Sequence, residues 1–507
     1  MTTRVGSVLA LALVFASAAQ AQVISIKTVP IAQSGQFDIF PSQNAGMANV
    51  SLALPDTLLD PFSNPAKGAR VGSGRFFGSP ALYHVTGDAG AGRTLPLGAL
   101  ASLGRWFGGA FGAVQEVDAS GVARANQFQF PTRQVPIGEE THGNAFAFAM
   151  LGRTMPGNLS LAGSIFWSGL RAVDGVDMLY AGSQSVTQRG HAGDFRLGLL
   201  KEWTSGRSFE ALAVHNRFEM AHEVVFQDLI WNPATQALTQ QTRTEHNLDY
   251  TYTTGLHFTY QQPIAETGWR VGTLVTSNRM SHPKLPEFDV QSVGIIAIPW
   301  DPGTSYAFNV GAGLSRASAG ARFGFDLIYE PIWSHTWGEA PSPIATNDGG
   351  TIPAGGKTID NHFRFQNWIA RIGTTRDLGL GHTGDAVALQ LGLMVHSIGY
   401  TMVQWDNVQG RGRSQAERWA EWAPTWGLTL RFPDLELRYQ GQVTNGTGRP
   451  GVIPEVSRFG VADAAVAGPS NSILVAPGGP LTLGAVKMFT HQISISVPLA
   501  VKRRASQ

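Results

Sequence analysis

The stretch "LDYTYTTGLHFTY", Leu248 to Tyr260, alternates along its whole length. Leu248, Tyr250, Tyr252, Leu256, Phe258 and Tyr260 fall on one face, and Asp249, Thr251, Thr253, His257 and Thr259 on the other. A period of two with one apolar and one polar face marks a β-strand. Its 13 residues exceed the usual soluble strand of about 5–6 and suit the roughly 9–11 needed to cross a bilayer at a tilt.

The same alternation recurs outward from this run. In "RFGFDLIYE" (322–330), Phe323, Phe325, Leu327 and Tyr329 oppose Arg322, Gly324, Asp326 and Glu330. "HQISISVPLAV" (491–501), "LSLAGSIFW" (159–167) and "LELRYQG" (435–441) follow suit. A half-buried soluble sheet would alternate too. Strand length argues for the membrane, as do aromatic residues toward the segment ends, among them Trp167, Tyr260, Trp269, Tyr306 and Trp426. In lipid such strands must close into a ring, because no backbone group can go unpaired there.

Composition narrows the classes further. Cysteine is absent, so disulfides and thiolate metal sites are excluded. Charged residues make up 14% and net charge is +1, so nothing points to nucleic acid as a partner. Residues 1–21, with Arg4, an apolar core and "AQA" ending at Ala21, read as an export signal. The longest later apolar run, from Leu95, is broken by Arg105 and several glycines and makes no spanning helix.

Short links such as "RTMPGN", "TSGR", "IAETG" and "RFPD" alternate with long polar stretches near 118–141, 169–190, 219–245, 335–360 and 443–484. Short periplasmic turns and long outer loops are the barrel pattern. The expectation is an all-β transmembrane antiparallel barrel of about 14 strands, with 12 to 16 allowed, although the count has the wrong parity between 246 and 335. Expected lumen-facing residues are Arg196, Asp249, Arg270 and Arg322, with Asp326, Glu330, Glu436 and Arg438. Their mixed sign suits a solvated wall with ion pairs better than a filter for one charge.

One stretch breaks the alternation. "NAGMANVSLALPDTLLDPFSNPAKGA", Asn44 to Ala69, is rich in turns and holds three prolines. It resembles the N-terminal region of FadL-type outer-membrane proteins, channels for long-chain fatty acids and aromatic hydrocarbons, and of their PorV-type relatives. The resemblance rests on Gly46, Met47, Ala53, Asp56, Asp60, Asn64, Pro65 and Ala66. It implies that this region is a hatch inside the barrel, with Asp56, Asp60, Asn64, Pro65 and Ala66 at the gate. Those residue types suit a shaped plug, since Asn and Asp cap nearby N–H groups and Pro fixes φ. The chain departs from the family in a thinner Ala run containing Pro55, and in continuing past its last strand as "KRRASQ".

Catalytic motifs are lacking. "HEVV" at His222 has no second His, "DNVQGRGRSQAE" (406–417) lacks the oxygen ligands of a Ca²⁺ loop, and no Gly-x-Ser-x-Gly elbow occurs. Neither enzyme activity, cofactor nor metal is therefore expected. The expected division is a signal at 1–21, a hatch at 22–69, a barrel at 70–501 and a basic tail at 502–507. The expected role is passive uptake of hydrophobic small molecules across the cell outer membrane, with outer-membrane lipids and the apolar ligand as partners. Trp- and Phe-rich stretches near 105–111 and 417–426 are the loops expected to meet that ligand. The alternatives are a PorV-type barrel docking exported proteins in a secretion system, or a general porin.

Overall fold

A computed structural model describes residues 27–499, apart from 33–34, 73, 88, 119–123, 126–133, 136–140, 175–183, 233, 283–302, 341, 381–385 and 451–482. The expected signal at 1–21 and tail at 502–507 lie outside the described residues.

The wall is a closed antiparallel barrel of sixteen strands. Strand β1 has two halves, Gly74–Gly78 and Ala81–Val85, interrupted at Pro80, which has no N–H to give to a ladder. β2 to β6 follow as Ala91–Leu103, Trp106–Asp118, Thr141–Met155, Leu159–Leu170 and Ser185–Glu202. β7 to β11 are Ser208–Asn232, Ala237–Ile264, Trp269–His282, Gly303–Ser318 and Ala321–Glu339. β12 to β16 are Lys357–Asp377, Ala386–Asp406, Arg411–Arg431, Glu436–Pro450 and Leu483–Leu499. Each pairs with its sequence neighbours, and closure comes from β1, whose Gly74 and Ala81 oppose Leu499 and Gln492 of β16.

The two faces separate cleanly. On β8 Leu256 and Phe258 are exposed, while Thr251, Thr253 and His257 are buried. On β11 Phe325, Leu327 and Trp333 face out, while Asp326, Ile328 and Glu330 are fully buried. Outward Leu, Val and Ile recur around the ring, with Val114, Leu151, Ile165, Val310, Leu391 and Ile493 all exposed. That is the lipid-facing arrangement of a barrel wall.

Sixteen strands replace the expected count of about 14, for a local reason. The link between β9 and β10 falls at the end that carries the long connections, which makes Trp269–His282 and Gly303–Ser318 separate spans and restores even parity. Conversely, the tight turn at 407–410 joins two 21-residue strands where a long loop would be sought. The stretch 219–245 is not a loop: β7 and β8 run 25 and 28 residues with continuous pairing. At about 3.3 Å per residue and a tilt near 40°, they reach about 65 Å, well beyond an apolar band of about 25 Å. Nor are 105–111 and 417–426 loops: the first opens β3 at the short-turn end and the second lies within β14.

Candidate functional site

The described residues of 27–71 form no strand, only an isolated bridge from Ile31 to Gly448. They run through four short helical turns, Gly35–Phe37, Ala45–Met47, Asp60–Ser63 and Pro65–Arg70, and bond to side chains on the buried face of the wall. Asp56 organises the segment itself. Its Oδ2 accepts from Ser42 Oγ at 2.6 Å and from the amides of Gln43 and Asn44 at 2.8 and 3.1 Å. Its Oδ1 accepts from the amides of Leu58 and Leu59 at 3.1 and 3.0 Å. One carboxylate thereby ties together two passes of chain otherwise free to diverge.

Asp60 begins the next turn. Lys67 Nζ lies 3.1 Å from Asp60 Oδ1 and 3.1 Å from Glu210 Oε2 on β7, all three side chains being buried. Arg70 Nε reaches Glu202 Oε1 of β6 at 3.0 Å. Burial would lower the Lys67 ammonium, but the attraction of Asp60 and Glu210 outweighs it and holds the group above its ordinary value. Asn64 Oδ1 accepts from the Ala66 amide at 3.1 Å, an N-cap for the turn that Pro65 opens. Arg196 Nη1 donates to the Phe62 and Ser63 carbonyls at 2.9 and 2.8 Å, satisfying acceptors at a helix C-terminus.

The segment crosses the wall along a lane of glycines. Gly272 of β9 is directly opposite Gly313 of β10, and Gly373 of β12 stands opposite both Gly324 of β11 and Gly392 of β13. A methyl group on Gly324 would come 2.5 Å from Val50 Cγ1, one on Gly373 2.5 Å from Met47 O, and one on Gly392 2.6 Å from Ala48 N. Only a residue without Cβ lets two backbones approach so closely. Within this lane Asp326 Oδ2 accepts from the amides of Ser51 and Leu52 at 2.8 and 3.3 Å.

The expected lumen residues all have the parity of the buried face. Arg196, Asp326, Glu330 and Arg438 are buried, while Asp249, Arg270, Arg322 and Glu436 are half-buried. Arg196 pairs with Asp194 at 2.6 Å, and Arg438 pairs with Glu436. Glu330 accepts from Asn309 and Asn367, whose amide also holds the Lys27 carbonyl at 2.7 Å. Arg270 donates instead to the Gly206 carbonyl in a turn at 3.2 Å. Lys67, Glu210 and the glycine lane were missed, although glycines in the middle of strands are a visible sign of close backbone approach.

Several apolar clusters line this face. Phe40 stacks on Phe62 at 4.4 Å, and Phe111 and Phe148 lie 4.9 and 5.0 Å from one or other of them, joining segment to wall. Nearer the long-connection end, Met280, Ile332, Phe363, Phe365, Tyr400 and Met402 form a second buried cluster, with Trp419 packed against it. Between segment and wall lies a cavity of about 420 Å³, lined among others by Phe40, Arg371, His396 and the Lys27–Glu421 ion pair.

No family model and no curated protein matches the chain. Among solved structures it is similar to a Pseudomonas aeruginosa FadL homologue, with TM-score 0.42, 11% identity and coverage of 92% of this chain and 100% of that one. A bacterial polysaccharide outer membrane secretin gives TM-score 0.38 at 6% identity, covering 84% and 98%. The ferric enterobactin receptor of Pseudomonas aeruginosa gives TM-score 0.31 at 10% identity, covering 83% and 80%. A closed antiparallel ring with an apolar outer wall is the architecture of the outer membrane, and this chain is an outer-membrane barrel.

Proposed function

We propose that this barrel passes hydrophobic small molecules, with residues 27–71 as the hatch that occupies its lumen. The observation that carries the reading is the inward apolar cluster of Met280, Ile332, Phe363, Phe365, Tyr400 and Met402. A water-filled porin keeps its interior polar, whereas this cluster puts aromatic and thioether side chains on the inner face toward the outer end. A solute that parted this cluster and buried roughly 200 Å² of its own apolar surface would gain on the order of 5 kcal/mol, less the cost of opening the packed side chains. The likeness of residues 44–69 to FadL-type channels supports the same reading. Passage, not catalysis, is the activity proposed.

The test is gentle detergent extraction followed by native mass spectrometry. A fatty acid or hydrocarbon should co-purify with the native chain and be lost from Phe365→Ser/Met402→Ser. A stoichiometric exported protein instead would favour a docking role. A ligand-free barrel whose ion conductance apolar compounds fail to block would favour a porin.

A further inference from the structure

His335 of β11 and His362 of β12 are direct cross-strand partners, twenty-seven positions apart in sequence and brought together only by strand register. Both point away from the lumen, because their neighbours Ser334, Thr336, Asn361 and Phe363 are buried on the inner face. Asp360, two residues before His362, shares its face. Ring centroids of the two histidines are 4.3 Å apart with planes 8° from parallel. His335 Nε2 is 2.5 Å and His362 Nε2 3.8 Å from Asp360 Oδ1, and one ligand atom from each residue lies within 4.8 Å of the others.

We infer that His335, His362 and Asp360 form a binding site for a divalent transition-metal ion of the Zn²⁺ or Cu²⁺ class on the outer rim. Two imidazoles and a carboxylate are the donor set such borderline ions select. Metal–ligand distances near 2.0–2.2 Å bring donor atoms to roughly 3–3.5 Å of one another. Starting from within 4.8 Å, side-chain rotation alone supplies the closure, and the paired strands hold the Cβ atoms about 5 Å apart throughout. With three protein ligands, a fourth position stays open to water or another external donor.

Lys357 shows that the place attracts a cation. Its Nζ lies 2.9 Å from Asp360 Oδ2 and 3.3 Å from His335 Nε2, where it competes with an incoming ion. The same ammonium is 4.9 Å from the centre of the Trp337 ring, a cation–π seat to which it can withdraw. The inference is independent of what the channel carries.

The experiment uses the untagged full-length protein in detergent, freed of metal with chelator. Zn²⁺ is titrated calorimetrically, and Cu²⁺ is followed by electron paramagnetic resonance. One ion per chain should bind saturably, with coupling from two nitrogens. His362→Ala should weaken binding at least tenfold and remove one nitrogen coupling, whereas Lys357→Ala should strengthen it. Both side chains are partly exposed on the rim, and heat-modifiable migration confirms that each variant remains a folded barrel. Binding unchanged in His335→Ala/His362→Ala, or weakened by Lys357→Ala, would overturn the site.

Discussion

Lys67 stands between two buried carboxylates, Asp60 on its own segment and Glu210 on the wall, so it is both a brace within the segment and a bolt to the barrel. Removing one member of such a group leaves uncompensated buried charge, at a cost of about 3–5 kcal/mol. Lys67→Ala should therefore loosen the segment strongly, read as faster protease cleavage within residues 27–71 of the folded barrel. Adding Asp60→Asn and Glu210→Gln should recover much of the loss, since the stranded charges are then gone. No recovery would mean that Lys67 acts by packing alone. Asn64→Ala, which removes an N-cap and a 3.4 Å hydrogen bond to Glu210 Oε2 but strands no charge, should cost about 0.5–2 kcal/mol for the cap and cleave at an intermediate rate.

At the scale of elements, the glycine lane makes a sharper demand. A methyl on Gly373 meets the Met47 carbonyl, which belongs to backbone and cannot swing aside, whereas one on Gly193 meets nothing within 4 Å. Gly373→Ala should accordingly expose the segment to protease while leaving barrel migration intact, and Gly193→Ala should do neither. Equal behaviour of the two would remove the lane from the account. The strands were legible in sequence because a wall between lipid and a polar interior imposes strict alternation, and Leu256, His257 and Phe258 show it residue by residue. Their number was not, because the β9–β10 link hides that Trp269–His282 and Gly303–Ser318 are separate spans; nor was the length of β7 and β8, because polar strand that keeps pairing past the membrane looks like loop. Asp56, Asp60 and Asn64 stood out as turn formers, but Lys67, Glu210 and the paired histidines depend on register, which alternation leaves open.

At the scale of the whole molecule, the wall closes without the N-terminal segment, although the segment bonds to it, as in the Ala32 amide to the Gly448 carbonyl at 2.7 Å. The ring closes through β1 and β16 and through ladders between consecutive strands, none of which uses residues 27–71. Sixteen strands otherwise enclose an aqueous channel. Here that interior is crossed by the segment, with the cavity of about 420 Å³ beside it. The native chain in a planar bilayer should thus conduct ions weakly, and deletion of residues 27–71 should convert it to a porin-like open state without loss of the barrel. Gly373→Ala, which displaces the segment without shortening the chain, should lie between them. An open-state conductance already present in the native chain would show that the segment leaves a continuous water path, and the lumen would then behave as a porin whatever its aromatic lining.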